Sequence, residues 1–271
     1  MHLIILLIKV HLLNNFHKSK IKFIVIPELE KKGGVIHAFS TRHSFNMAFN
    51  SHDNQEEILK NRIVFGEAIG IGVREIITVK QIHGEQVITL KERNINIDRI
   101  RSKEGDAIIT NLRGLPIAVL TADCLPILLI DIYRRAIAVV HAGRIGTYLR
   151  IVRKTVKEMK DTFDIFYKDL LAGIGPGIGR CCYELDERGI QPFREETSYY
   201  DNFIDRRGKN RYLLDLAGAN ERQLLELGVL SKNIFSTRLC TACDTETFFS
   251  HRAARGEDKR MMALIMLSEV A

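Results

Sequence analysis

The sequence predicts an α+β fold, a single domain of mixed, largely antiparallel β-sheets flanked by helices. Two observations predict this class. Short runs of β-branched and other apolar residues recur along the chain, as strands do. Many of these runs follow one another without a helical segment between them, which argues against a doubly wound parallel sheet. We expect one domain over residues 21–271 and an N-terminal extension over residues 1–20.

The predicted strands share short length and a bounding polar or turn-forming segment. They are KFIVI (22–26), VIHAF (35–39), EIITV (75–79), QVITL (86–90), DAIIT (106–110), IAVLT (117–121), ILLI (127–130) and AIAVV (136–140).

Three helices are predicted, over residues 53–70, 146–162 and 215–228. The first begins with Asp53 as its N-cap, has Glu56 in the capping-box position and stops at Gly70. The apolar residues of that helix predict one buried face, formed by Ile58, Leu59, Ile63, Phe65 and Ile69. The third helix ends at Gly228, a residue type that favours helix C-termini.

Composition and charge narrow the class of partner. With 46% hydrophobic and 27% charged residues, the chain resembles an ordinary soluble globular protein. The net charge of +7 favours acidic small molecules or nucleic acid as partners. Its basic residues are scattered, apart from segments 18–22, 150–160 and 206–211, and no nucleic-acid-binding signature accompanies them. We expect a small-molecule partner and no nucleic acid.

Cysteine usage and the chain's start bear on its location. Five cysteines, two of them adjacent, do not form a disulfide framework and fit a reducing compartment. The start, MHLIILLIKVHLL, lacks the basic region and the cleavage site of a signal peptide, and it is too short to span a bilayer. We expect a cytoplasmic protein without membrane contact, a monomer or small homo-oligomer, whose start is an extension or a mis-assigned start codon.

A predicted hairpin brings Cys124 near His141. If residues 132–135 form its loop, Cys124 lies opposite Gly143 and His141 opposite Pro126. A two-residue turn would instead place Cys124 directly opposite His141, but residues 132–133 do not favour a primed turn. In either register the pair lies within roughly 5–8 Å. The alternative interpretation is structural, with Cys124 a small buried hydrophobe and His141 a hydrogen-bonded strand residue.

A third residue favours a metal site. His83 follows a predicted strand in VKQIHGEQV, with Gln81 beside it. One thiolate and two imidazoles suit Zn²⁺, with copper as a second choice, and three protein ligands leave a fourth position open, as in catalytic zinc sites.

Three further segments suggest weaker hypotheses. GIGPGIGRCCYEL predicts a tight loop that presents backbone amides to an anion, and it matches neither common nucleotide-binding motif. CTAC is a lone CxxC, and a zinc site that includes it would need Cys181 and Cys182, whose adjacency makes tetrahedral ligation awkward. Arg42, in FSTRH, either binds an anion such as phosphate or is a solvated loop residue.

Taken together, several motifs identify a family. KQIHGEQV, DAIITN, LTADCLPILLID, VVHAG, IGPGIGRCCYEL and FFSHR occur in this order. The chain resembles the YfiH family, also called the laccase-domain, polyphenol oxidase or multicopper-oxidase-like family, over residues 23–267. Its members are regarded as zinc-dependent purine nucleoside enzymes.

The resemblance implies a fold of mixed sheets flanked by helices and a metal site formed by His83, Cys124 and His141. It also implies phosphorolysis of adenosine, inosine, guanosine and methylthioadenosine, and deamination of adenosine. Older descriptions of the family give copper-dependent phenol oxidation, and a role in keeping peptidoglycan precursors correct is described for bacterial members.

This sequence departs from the family pattern in three places. HAGRIG stands where the family has HAGWRG, so Arg144 and Ile145 replace a tryptophan and an arginine. The segment after FSTR is shorter than usual and lacks GGVS, and the usual TGR is DKR, which keeps only Arg260. These differences affect the walls of the expected pocket rather than the three metal ligands.

Four hypotheses about function follow. In the first, a zinc-dependent nucleoside enzyme, Asp123 moves protons during deamination, while Arg42 and Arg260 hold phosphate and Gln81 contacts substrate. In the second, Cys124 is a nucleophile and His141 its base, in a hydrolase or amidase without metal. A copper-dependent phenol oxidase and a non-catalytic binding protein are the third and fourth. A multicopper site needs more histidines than the nine present, three of which lie in the N-terminal extension.

Overall fold

The computed structural model describes residues 4–9, 20–31, 34–49, 54–72, 74–133, 135–195, 200–254 and 258–269. Its strands are β1 (Ile4–Lys9), β2 (Lys20–Val25), β3 (Val35–Ser40), β4 (Val87–Leu90), β5 (Ala107–Thr110), β6 (Ile117–Thr121), β7 (Leu125–Asp131), β8 (Ile137–Ala142), β9 (Leu170–Ile174), β10 (Glu184–Leu185), β11 (Ile204–Gly208), β12 (Arg211–Leu214), β13 (Ile234–Ser236) and β14 (Met261–Leu267). Its α-helices are α1 (Pro27–Glu30), α2 (Gln55–Ala68), α3 (Ile97–Arg101), α4 (Arg144–Tyr148), α5 (Ile151–Phe163), α6 (Glu187–Glu195) and α7 (Leu216–Leu227).

The strands form mixed, mainly antiparallel sheets, as predicted. A five-stranded sheet has the order β1-β2-β3-β14-β6, and a six-stranded sheet has the order β13-β9-β7-β8-β5-β4. A third, three-stranded sheet, β10-β12-β11, is not hydrogen-bonded to either of these two through its described strands. Within the described chain, the parallel strand pairs are β4 with β5 and β9 with β13. The α+β class and the single domain are therefore confirmed.

The two large sheets pack face to face between two layers of helices. Alternate residues of β8 show why its apolar run is continuous: Ile137 and Val139 face the five-stranded sheet, whereas Ala138 and Val140 face helices α5 to α7. The outer face of the five-stranded sheet packs against α2 through Phe65. A strand buried on both faces has no polar alternation, so its sequence is uniformly apolar. No helix in the described ranges is long and apolar enough to cross a membrane.

The predicted strand EIITV is absent. Its segment pairs with β6 at one residue only, and the Gln81 side chain occupies the next part of that strand. Ile77 makes one isolated parallel bridge with Ile117 of β6. Farther along β6, the Gln81 side chain takes over: its amide nitrogen donates to the Leu120 carbonyl at 2.8 Å, and the Leu120 N–H donates to its amide oxygen at 2.7 Å. This side chain replaces the main-chain pair that a continuing strand would supply.

Two predicted helices differ in detail. Helix α2 is capped by Asn54, whose side chain accepts from the Glu56 N–H, and Asp53, the predicted cap, lies outside the described residues. Its predicted buried face is confirmed at Ile58 and Phe65 but wrong at Leu59 and Ile63, which are 47% and 41% exposed. The predicted helix over 146–162 is two helices, α4 and α5, separated at Arg150, which has a left-handed φ of 62°. The third matches α7, which begins after its N-cap Asp215 and ends at Gly228.

Both large sheets end at a common edge. In the register of the five-stranded sheet, Met261 at the start of β14 pairs with Thr121 at the end of β6. In the six-stranded sheet, Leu125 at the start of β7 pairs with Ala142 at the end of β8. Residues 122–124 connect β6 directly to β7, so the edges of the two sheets meet there. Loops at such strand ends are where functional side chains concentrate.

Candidate metal centre

The β7–β8 hairpin has the predicted register. Pro126 pairs with His141 and Leu125 with Ala142. Cys124 immediately precedes β7 and lies next to Gly143, where an added Cβ would sit only 2.8 Å from the Cys124 Sγ. A glycine at 143 therefore gives the sulfur room at the end of the hairpin.

His83 completes a set of three ligand atoms. The ligand atoms of His83, Cys124 and His141 all lie within 4.8 Å of one another. The two imidazole rings meet edge to face, with centroids 4.8 Å apart and an interplanar angle of 82°. His141 is 3% exposed on β8, whereas His83 lies on an exposed loop. The set is therefore anchored on one side and open on the other.

Asp106, which is not among the predicted site residues, holds this arrangement. Its Oδ1 lies 2.8 Å from His141 Nδ1 and accepts from the His83 N–H at 2.9 Å. Its Oδ2 accepts from the N–H groups of Ile82 and Gly84. The carboxylate is fully buried. When His141 Nδ1 donates to Asp106, its Nε2 is left free to bind a metal, which is the usual carboxylate–histidine arrangement behind metal sites.

Backbone strain marks two residues of the site. His83 has a φ of 60° and Asp123 a φ of 92°, both in the left-handed region that non-glycine residues rarely adopt. The hydrogen bond from the His83 N–H to Asp106 stabilises the first. Strained residues of this kind cluster at functional sites because the surrounding structure holds them in place.

The electrostatics favour a thiolate beside an imidazolium in the metal-free protein. Burial opposes ionisation of Cys124, but the positive charge and hydrogen bond of His141 lower its pKa to about 6. Burial likewise disfavours the charged form of His141, but the Cys124 thiolate and then Asp106 raise its pKa to about 9. A group that exists as a thiolate at neutral pH is already in the form that binds metal.

Asp123, predicted to transfer protons, is engaged by surrounding loops. Its Oδ1 accepts from the Thr241 hydroxyl at 2.6 Å, and its Oδ2 accepts from the Arg252 N–H at 2.7 Å. Its backbone carbonyl accepts from the Ile178 N–H at 2.7 Å. Asp123, which directly precedes Cys124, thus holds two loops against the start of β7.

The predicted phosphate ligands lie at the same sheet edge. Arg42 follows β3, its Nε donates to the Phe248 carbonyl and its guanidinium stacks 4.7 Å from the Phe249 ring centroid. Arg260 immediately precedes β14 and contacts Asp258 through its Nη2 at 3.3 Å. Because β14 is antiparallel to both β3 and β6, the end of β3 and the start of β14 lie at the edge where β6 leads to Cys124.

Three further residues lie near the centre, and two of them, Tyr183 and Arg252, had no signal in the sequence. Burial, and then the negative charge of Cys124, raise the pKa of Tyr183 to about 12. The guanidinium of Arg252 lies 5.2 Å from the centroid of the Tyr183 ring. Arg144, which replaces the family's tryptophan, begins α4 and donates to the Gly189 carbonyl at 2.9 Å. Only the order of the loops in space reveals that these residues belong together.

The donor set fits a metal ion. Two imidazoles, one of them oriented by a carboxylate, and a thiol of lowered pKa are the borderline-soft ligands that zinc prefers. Three protein ligands would leave one tetrahedral position for water or substrate. A site with four protein ligands would instead be closed.

The chain is similar to known proteins over most of its length. The family model described as multi-copper polyphenol oxidoreductase laccase matches residues 28–268. A purine nucleoside phosphorylase YlmD from Bacillus subtilis (strain 168) is 30% identical over 243 residues, which are 88% of this chain and 87% of that protein. An adenosine deaminase RL5 from an unknown prokaryotic organism is 31% identical over 208 residues, covering 74% and 78% of the two chains.

A solved structure has the same fold. The crystal structure of the hypothetical protein YfiH from Bacillus licheniformis superposes with a TM-score of 0.83 at 26% sequence identity, covering 91% of this chain and 96% of that one.

Proposed function

We propose, from the premise that this chain belongs to the multi-copper polyphenol oxidoreductase laccase family, that it is a zinc-dependent purine nucleoside enzyme. Its reactions would be phosphorolysis of purine nucleosides and deamination of adenosine. The observation that carries the proposal is the three-ligand set of His83, Cys124 and His141, with His141 oriented by the buried Asp106. Relatives named as a phosphorylase and as a deaminase support both reactions.

The protein's own residues prepare the site. His83, Cys124 and His141 would hold the ion, and Asp106 fixes the tautomer of His141 and the loop that bears His83. Zinc bound there would supply a Lewis acid and lower the pKa of its water ligand to about 7. Copper fits the same donors as a second choice.

In phosphorolysis, an oxygen of hydrogen phosphate attacks the anomeric carbon while the bond to the purine nitrogen breaks. The proton that the phosphate loses on becoming an ester goes to the departing purine. The attacking phosphate carries negative charge, so cations must position it. Arg42 and Arg260 are the residues we assign to this task, since both lie at the sheet edge that leads to Cys124. Gln81 stays a predicted substrate contact, although its amide is bound to Leu120 in the structure.

In deamination, water adds to C6 of adenine and ammonia leaves. A proton must move from the water to the departing amine. Asp123 stays the predicted residue for this transfer, but both its carboxylate oxygens already accept hydrogen bonds. Each oxygen keeps a second lone pair that can accept a proton. Its present contacts favour a positioning role.

The test is product analysis. Untagged protein is incubated with adenosine, with and without phosphate, and zinc and copper contents are measured on the same sample. Adenine with ribose 1-phosphate indicates phosphorolysis, inosine indicates deamination, and both should disappear in His83→Ala. Full activity of the metal-free protein contradicts the proposal. We expect purine nucleoside and phosphate to be the protein's partners in the cytoplasm, with no nucleic acid or membrane.

One observation favours a second candidate function. Cys124, His141 and Asp106 form a chain of nucleophile, base and orienting carboxylate, which is the arrangement of cysteine hydrolases. In that case His83 has no role in catalysis. Selective alkylation of Cys124 by iodoacetamide that abolishes an amidase activity, with no loss in His83→Ala, supports the hydrolase and excludes the nucleoside enzyme.

A further inference from the structure

Four of the five cysteines converge away from the His83–Cys124–His141 centre. The sulfurs of Cys181, Cys182, Cys240 and Cys243, here called the four-cysteine cluster, all lie within 4.8 Å of one another. The Cys243 Sγ is 3.3 Å from the sulfurs of both Cys181 and Cys182. Four sulfurs placed about 2.3 Å from one tetrahedral zinc ion lie roughly 3.8 Å apart, close to the spacing seen here.

The adjacency of Cys181 and Cys182, which argued against a zinc site in the sequence, is resolved by a turn. The N–H groups of Cys182 and Tyr183 both donate to the Gly179 carbonyl at 3.0 Å. In such a turn successive side chains diverge by about 100° rather than pointing to opposite faces, as they do in a strand. Both sulfurs can therefore reach the same point.

The backbone around the cluster is arranged as in a metal-thiolate site. The Gly179 N–H donates to the Cys240 sulfur at 3.2 Å. A Cβ at position 179 would lie 3.1 Å from the Cys240 Cβ and 3.2 Å from the Cys181 sulfur, so glycine permits the close approach of the two loops.

The close spacing of the four sulfurs also favours a cation between them. Four thiolates this close repel one another strongly, and a divalent ion at their centre removes that cost.

We propose that the four-cysteine cluster binds a second, structural zinc ion, independent of the centre at His83, Cys124 and His141. Four thiolates around one point are a closed tetrahedral set, which is the structural type of zinc site. An iron–sulfur cluster would distribute its cysteines over several irons and hold their sulfurs farther apart. Cys181 and Cys243 are exposed, so the ion can be loaded from solvent.

The ion would pin two loops behind the first centre. One loop follows β9 and the other follows β13, and they are joined by the hydrogen bonds from Gly177 to Leu239 and from Thr241 to Gly177. Both loops also bind Asp123, through the Ile178 N–H and the Thr241 hydroxyl. Zinc at the cluster would thus fix the backbone that leads to Cys124 without contacting substrate.

Zinc stoichiometry of the full-length, untagged protein tests this proposal. Protein purified under reducing conditions with zinc chloride present, and then desalted, should contain two zinc ions per chain. Cys240→Ser and Cys243→Ser should each lose one, His83→Ala should lose the other, and the double variant His83→Ala/Cys243→Ser should contain none. If His83→Ala loses all its zinc while Cys243→Ser loses none, the second site does not exist.

A second measurement does not depend on whether the cysteine variants fold. X-ray absorption at the zinc edge of His83→Ala should show four sulfur neighbours at about 2.3 Å and no nitrogen. In the same protein, a thiol-alkylating agent should spare four cysteines until a chelator removes the metal. A nitrogen or oxygen shell, iron in place of zinc, or disulfides in protein kept under reductant would each overturn the proposal. This readout is metal ligation and thiol protection rather than activity, so failure of the proposed function leaves it unaffected.

Discussion

The three-ligand centre and the four-cysteine cluster use similar chemistry for different purposes. The centre takes its ligands from two loops and one strand, and a buried carboxylate orients the histidine on the strand. The cluster takes all its ligands from two loops, and the partners of its sulfurs are one another and backbone N–H groups. Three ligands with a rigid support leave room for substrate, whereas four ligands on loops close the site and hold the loops together.

The largest expected effect separates the two sites by activity. Cys124→Ala removes a ligand of the open site, so adenosine turnover should fall by at least about 10³-fold, because metal catalysis contributes several kcal/mol to the barrier. Cys181→Ala is the matched control, since it removes a ligand only from the closed site and should keep the zinc of the open one. Equal loss of activity in both variants would show that the two sites do not differ as proposed.

The next effect tests the carboxylate that only the centre has. Asp106→Asn replaces one acceptor oxygen by a donor, which faces N–H groups that are themselves donors. Zinc affinity at the centre should fall about 10- to 100-fold, the usual cost of losing such a partner. The four-cysteine cluster should keep its affinity. Competition with a zinc chelator measures the zinc affinities of both sites. An unchanged affinity at the centre would contradict the role assigned to Asp106.

The pKa values of two buried histidines differ because only His141 has a thiolate and a carboxylate as partners. The pH dependence of unfolding tests this difference at His37. His37 on β3 is as buried as His141, accepts from the Ile26 N–H and has its pKa lowered by burial to about 4. The unfolded chain, with a histidine pKa near 6.5, binds this proton first, so stability is lost as the pH falls from about 6.5 to 4.

Between pH 7 and pH 5 this histidine should cost about 2 kcal/mol of unfolding free energy. His37→Gln keeps an acceptor for Ile26 but does not titrate, so urea unfolding of the variant should lose that much less over the same range. An identical pH dependence in wild type and variant would contradict the assignment.

The smallest expected effect uses a glycine beside each site. In Gly143→Ala the new Cβ would approach the Cys124 sulfur to 2.8 Å, and in Gly179→Ala it would approach the Cys181 sulfur to 3.2 Å. Overpacking of this kind costs on the order of 1–3 kcal/mol, so zinc affinity should fall about tenfold at the adjacent site. Each variant is the control for the other, and a loss at both sites in either variant would mean that they are coupled.

The sequence predicts those contacts of the centre that are local in the chain, and it does not predict the long-range ones. The hairpin register is predictable from loop length and strand pattern, and this register alone is enough to place Cys124 beside His141. Asp106 was missed because an acid at the start of an apolar strand looks like a solvent-exposed boundary. Only the fold shows that three N–H groups and a histidine surround it.

The remaining differences have similar causes. The strand expected at EIITV depends on whether β6 offers a free edge, and the Gln81 side chain occupies that edge. The four-cysteine cluster joins segments about sixty residues apart, and the turn that aligns Cys181 with Cys182 depends on a glycine carbonyl. Two features leave no periodic signal in a single sequence: a side chain that hydrogen-bonds in place of a backbone strand, and a contact between loops far apart in the chain.

The most direct test of the central claim is adenosine turnover per chain, measured together with zinc content, in wild type and His83→Ala. We expect wild-type protein to convert adenosine with zinc at both sites. We expect His83→Ala to keep the zinc of the four-cysteine cluster and to convert no adenosine. Undiminished turnover in His83→Ala that has lost the zinc of the three-ligand centre would contradict the account.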